Sequence, residues 1–364
     1  MLDLDQKAKI EEIRMSISEM LSFREDKVVS PVFQPSAFWQ KMSRYLSYIR
    51  KLPAEDLENI RCHIGMGFFI GNPWDRDFYM GFQAKNDAEA AEFPLIQKYA
   101  RYVSDLPEQY WCSEPATNDL VADIGVKFKG KIVNSDIVKE QACIRNLYNL
   151  GLIGGVGKKS SLLLELGPGY GQLTFQLSRM LEKNCRFVCV DYPETLFWSA
   201  TFLAINTDPR EVYVWKSTDK EIDLAELSKQ YRFIMIPNFA ITALGDSPIF
   251  DVVINQNSFQ EMTEDQVEYY AKYFMQTTRG WLYSYNASKQ FMNLELKRYV
   301  HEILGDYFIG GPDDAHYKKS GIDLSNVESK RIFLGYSKVL NSPPRRECRS
   351  NTAWISDKPM QIEG

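Results

Sequence analysis

The spacing of apolar residues changes near residue 135, and that change divides the chain. Before it the repeats are helical. Ile10, Ile13, Ile17, Met20 and Leu21 share one stripe over the first residues, until Ser30–Pro31 and Gln34–Pro35 break it. Phe38, Met42, Tyr45, Leu46 and Ile49 form a second helical face, and residues 87–102 read as a further helix. The segment from Gly65 to Phe78 is loop-like. The stretch "SEPATNDLVADIGVKFKGKIVNSD" is extended, with Val126 and Phe128 alternating ahead of a turn at Gly130. Residues 1–130 are expected to form a mostly helical region.

From Ser135 onward strands and helices alternate. A helix over 136–150 ends at Gly151. Strands follow at 162–166, 187–190, 232–236, 251–255 and 281–285. Between them lie helices with Leu173, Leu177, Met180 and Leu181 on one face, a helix from Glu194, and a helix opened by the capping box Thr263 to Gln266. That last helix buries Val267, Tyr270, Ala271, Phe274 and Met275. Alternation of this kind predicts an α/β fold, a Rossmann-like, mostly parallel sheet with helices on both faces. "SKRIFLGYSKVL" alternates like a final strand. The core is expected over residues 131–341, with 342–364 as a polar C-terminal tail.

Composition narrows the classes. Hydrophobic residues make up 45% and charged residues 25%, as in soluble globular proteins. A net charge of −5 gives no general electrostatic grip on nucleic acid. No apolar run reaches the roughly 20 residues of a membrane span, and the charged, amphipathic N-terminus is unlike a signal peptide. Six scattered cysteines without a CxxC pair fit reduced thiols, so a cytoplasmic location is expected.

The candidate chemistry lies in "LLLELGPGYGQLTFQLSRMLEKN" and "CRFVCVDYPETL". Gly167, Gly169 and Gly171 end the first core strand, where glycine admits tight backbone angles and close approach of a ligand. The next helix aims its N-terminus at that ligand. Asp191 ends the second strand, where a carboxylate accepts from both ribose hydroxyls. These features suit either a dinucleotide or S-adenosylmethionine (SAM). Two details favour SAM. Gln172 stands where GxGxxG would need its last glycine, and Glu165 lies two residues before the glycines, placed for a methionyl ammonium.

The chain resembles the sugar O-methyltransferases of bacterial polysaccharide and natural-product gene clusters, through "LELGPGYGQL", "VDYPETL" and above all "FDVVINQNSFQEM". Weaker echoes are "SAFW" around Trp39, Glu114–Pro115, and Asn134–Ile137. The resemblance spans roughly residues 30 to 290. It implies a class I methyltransferase core using SAM. Carried onto this chain, Glu165, Gly167, Gly169 and Gly171 would line the methionyl part, Asp191 would take the ribose, and Tyr192 would flank the adenine. Asn238 and Phe239, by strand position, would face the adenine from its other side, and Asn255 in the family-like block would join the cofactor set. A small-molecule sugar or glycoside is the implied acceptor.

A sugar hydroxyl is a poor nucleophile, so a positioned base is expected. Glu261 is the only acid in "NQNSFQEM"; it serves equally well as a helix-start residue complementing the dipole. His316, in "GGPDDAHYKKSG", is the second candidate base. Asp313, Asp314 and His316 could instead hold a divalent metal, the less favoured version. The 1–130 region is expected to fold over the carboxyl ends of the strands and help close the acceptor site. Three other functions compete: an NAD-dependent oxidoreductase, a methyltransferase of a non-sugar small molecule, and a non-enzymatic scaffold. Glu165 with Gln172 opposes the first, and the paired cofactor acids oppose the last. The acceptor hydroxyl and the oligomeric state have no sequence signal.

Overall fold

The structure is a computed structural model that describes residues 2–26, 29–64, 86–115, 124–153, 161–219, 221–286, 295–310 and 350–356. The N-terminal region contributes α1 (Leu4–Asp26), α2 (Ala37–Tyr45), α3 (Ala54–Leu57), α4 (Asp87–Ala91) and α5 (Pro94–Val103). The single helix expected over 87–102 is two, because Pro94 takes the first helical position and starts α5 afresh. A hairpin follows, β1 (Val126–Phe128) and β2 (Lys131–Val133), paired antiparallel. Its two-residue turn puts Lys129 and Gly130 at φ 48° and 72°, the left-handed geometry that suits the strand twist.

The core then runs α6 (Ser135–Asn149), β3 (Leu162–Leu166), α7 (Gln172–Met180), β4 (Arg186–Asp191), α8 (Pro193–Asn206), β5 (Val212–Val214), α9 (Leu224–Gln230), β6 (Phe233–Pro237), β7 (Phe250–Gln256), α10 (Glu264–Thr277), β8 (Thr278–Asn286), α11 (Val300–Gly305), β9 (Phe308–Gly310) and β10 (Ser350–Ser356). They build one sheet in the order β5-β6-β4-β3-β7-β8-β10-β9. The pairs from β5 to β8 are parallel, whereas β10 lies antiparallel to both β8 and β9. Leu163, Leu164, Leu166, Val188, Val190, Ile234, Ile236, Val253 and Ile254 are all buried, as in a parallel sheet covered on both faces.

This is the Rossmann-like architecture that the alternation predicts, and it corrects several details. β5 and α9 were not expected; three and seven residues long, they are too short for a clear period. Ser350–Ser356, placed by sequence in the polar tail, pairs with β8 from Ser350↔Asn286 to Ile355↔Trp281. In the sequence its apolar run, Ala353, Trp354 and Ile355, is too short among polar residues to read as a strand. The strand expected in "SKRIFLGYSKVL" and the loop from Gly65 to Phe78 lie outside the described residues.

α8, "PETLFWSATFLAIN", is apolar on nearly every side, which requires burial all round. The sheet covers one side, and α1 covers another with its buried stripe Ile10, Ile13, Ile17 and Met20. Gln6 Nε2 donates to the Ile205 carbonyl at 2.9 Å, and Arg24 forms a two-pronged ion pair with Glu194. α1 thus flanks the sheet rather than crossing its carboxyl ends. The segment after it does reach them. Asn238 Nδ2 donates to the Phe33 carbonyl at 2.8 Å, and Gln266 Nε2 donates to those of Val32 and Gln34. Among the described residues no helix is long and apolar enough to cross a membrane.

Candidate active site

Strand β3 stands between β4 and β7, so the sheet's order switches at its carboxyl end, the place where open α/β sheets bind ligands. A cavity of about 250 Å³ opens there. Gly167 and Gly169 in its wall take φ 73° and 61°. A Cβ on Gly167 would lie 2.1 Å from Ser258 Oγ, so only glycine lets the β3 turn and the β7 turn close together. Gly171 sits behind the cavity instead. It is the left-handed cap of α7, packed against Ser199.

The cavity gathers Glu165, Asp191, Tyr192 and Glu261, with Trp39, Lys139, Glu140, Gln172 and the run from Gln256 to Ser258. Asp191 accepts from the backbone N–H of Tyr192 at 2.8 Å and of Gly169 at 3.4 Å. Those bonds aim the carboxylate across the glycine turn. Burial nevertheless raises its pKa to about 7, with Glu261 adding repulsion. Glu165 accepts from the Thr174 hydroxyl, and burial raises it to about 8. Glu261 ends a short turn over Phe259–Glu261, where burial raises it to about 7 against the opposing hydrogen bond from Trp39 Nε1 at 3.1 Å. The Ser36 hydroxyl donates to the Glu261 carbonyl at 2.9 Å, so the "SAFW" segment holds this residue from two sides.

Three residues expected to contact the cofactor are not among those lining the cavity and make contacts of their own. Phe239 stacks on Phe23, centroids 5.5 Å apart, and meets Trp215 edge-on. Asn238 ties down the Phe33 carbonyl. Asn255 Nδ2 donates to the Leu166 carbonyl at 2.9 Å, while its Oδ1 accepts from the Phe259 N–H and Asn286 Nδ2. Asn255 therefore stitches the ends of β3 and β7 together from behind the cavity wall. His316, Asp313 and Asp314 lie outside the described residues; among the described residues no cluster could hold a metal ion.

The fainter family echoes also meet here. Arg61, buried, pairs with Glu114 and with Asp136 at 3.1 Å, and its guanidinium lies 4.3 Å over the ring of Tyr170 in the glycine turn. Asn134 Nδ2 donates to Glu114 at 2.9 Å, and the Tyr170 hydroxyl donates to Asp136 at 3.2 Å. The N-terminal region thus reaches the glycine turn through a buried ionic cluster. Sequence reasoning missed Arg61 altogether, since a lone arginine in a helical stretch reads as surface.

The electrostatics select a ligand charge. Glu140, Glu165, Asp191 and Glu261 face one cavity whose described lining holds a single cation, Lys139. A diphosphate placed there would meet four carboxyls, whereas a sulfonium and an ammonium would be drawn to them. The residues present fit SAM and oppose a dinucleotide.

No family model and no curated protein matches the chain. Solved structures similar to it include a SAM-dependent methyltransferase from Aquifex aeolicus, 16% identical over 39% of this chain and 65% of that one, at a TM-score of 0.27. Phosphoethanolamine N-methyltransferase 2 of Haemonchus contortus is 12% identical over 58% and 52%, at 0.30. A protein of echinomycin biosynthesis, from work on conversion of a disulfide bond into a thioacetal group, is 14% identical over 38% and 45%, at 0.25. The match thus spans less than two thirds of each of these chains. Strand order and the placing of the glycine turn make the core a Rossmann-like class I methyltransferase fold.

Proposed function

We propose that the protein is a SAM-dependent O-methyltransferase acting on a sugar or glycoside hydroxyl. The observation that supports it most is the carboxyl-lined cavity at the sheet's switch point, with Glu165 beside the glycine turn and Asp191 held by two backbone N–H groups. When bound, SAM would supply an activated methyl group. Glu165, Gly167 and Gly169 would hold its methionyl part, Asp191 its ribose hydroxyls, and Tyr192 its adenine side. Trp39, Met262 and Gln260 close the cavity on the side of Glu261, where they would exclude water and orient an acceptor. Glu261 then accepts the hydroxyl proton as the oxygen attacks. The sugar as acceptor rests on the family-like block Phe250–Met262 that builds this wall.

Asp191→Ala is expected to weaken SAM binding by ~1–3 kcal/mol, the worth of charge-assisted hydrogen bonds, as a calorimetric titration would read. The acceptor class is tested by incubating the protein with methyl-labelled SAM and a panel of glycosides, nucleotide sugars, phenols and amines. Label on a sugar oxygen supports the proposal. Label only on a phenol or an amine would replace the acceptor while keeping the reaction type.

A further inference from the structure

Two buried acceptor atoms in the cavity wall have no hydrogen-bond partner: Glu140 Oε2 and Gln172 Oε1. Glu140 is 2% exposed and Gln172 is 1% exposed, and both line the cavity. Their surroundings account for the rest of each side chain. Glu140 Oε1 pairs with Lys139 Nζ at 3.1 Å. Gln172 Nε2 points back toward Glu114 at 3.5 Å. What remains is acceptor capacity only, facing the same space as Glu165. A buried acceptor left unmade costs on the order of 1–3 kcal/mol, so such a pair calls for a donor.

The donor must offer several N–H groups and carry positive charge, since Glu165 and Glu140 approach it together. We infer that Glu140, with Gln172, forms the subsite for the ammonium of the cofactor's amino-acid end, a role that sequence spacing assigns to Glu165 alone. This inference rests on the cofactor reading above. Geometry supports the division of labour: one Glu165 oxygen is already bonded to the Thr174 hydroxyl, whereas Glu140 Oε2 is free to accept. Glu140 lies on α6, one turn beyond Asp136, which accepts from Arg61 and Tyr170. The ammonium would then be read by the helix that precedes the sheet as well as by the first strand. Gln172 takes on a purpose too, because a glycine there would remove one of the two acceptors.

The test separates the amino-acid end of the ligand from its nucleoside. S-adenosylhomocysteine carries the ammonium, and 5′-methylthioadenosine lacks it. Calorimetric titration of the full chain with both is expected to show Glu140→Gln weakening S-adenosylhomocysteine at least tenfold, with 5′-methylthioadenosine affected less than threefold. Retained binding of the second ligand also shows that the variant is folded. Equal losses for both ligands, or none for either, would overturn the inference while leaving the cofactor reading intact. A wild-type protein that bound neither would remove both.

Discussion

Glu261→Gln is expected to lower kcat by ~10²–10⁴ while leaving SAM affinity almost unchanged, because the amide keeps the shape but cannot accept a proton. The same argument fixes a pH dependence. Burial holds Glu261 near a pKa of about 7, and only its carboxylate form can act as a base. Turnover should therefore climb as pH rises through about 7 and then level off. At saturating SAM, where titration of Asp191 and Glu165 no longer limits binding, that climb should vanish in the variant. A loss of tenfold or less, with the pH profile retained, would leave positioning of the acceptor as the main source of rate. Trp39 sharpens the case. Its indole N–H binds Glu261 Oε2, which fixes the orientation of the carboxyl in the cavity wall.

The second large effect concerns stability. Arg61→Ala is expected to destabilise the protein by about 3–5 kcal/mol, read from denaturant unfolding, because Glu114 and Asp136 would remain buried without their cation. The effect should extend to the cofactor site. Arg61 covers the Tyr170 ring in the glycine turn, so loss of the guanidinium loosens the loop that approaches the ligand. A variant as stable as the wild type would show that the ionic cluster contributes nothing net over water filling the space.

These two sites differ in how far the sequence revealed them. That Glu165, Gly167, Gly169 and Asp191 would gather around one cavity was legible because strand, turn and acid are local features whose spacing directly sets their geometry, whereas Gly171 serves the helix cap behind it. Glu261 was legible as a candidate for the same reason, lying one short turn beyond β7. The roles of Asn238 and Phe239 were not. Phe239 is claimed by Phe23, and Asn238 by the Phe33 carbonyl, both from an N-terminal segment about two hundred residues away in the chain. No local pattern records such a contact. Asn255 sits at the expected strand end but turns its amide to the backbone of β3, where two adjoining strand ends leave polar groups to satisfy.

The sheet's far edge shows a related limit. Alternation identified the parallel strands other than β5 because their apolar runs are long and nearly unbroken. β10 was read as tail because its pairing with β8, rather than its own composition, makes it a strand. Glu140 was passed over for a similar reason. A glutamate in a helix is ordinarily solvated, and only the packing of α6 against the glycine turn buries it.

The central claim is that the cavity at the end of β3 holds SAM, and titration with S-adenosylhomocysteine in a calorimeter tests it most directly. The expected result is saturable one-site binding at micromolar-scale affinity, with no comparable response to NAD. Tight NAD binding with no heat from S-adenosylhomocysteine or SAM would contradict it.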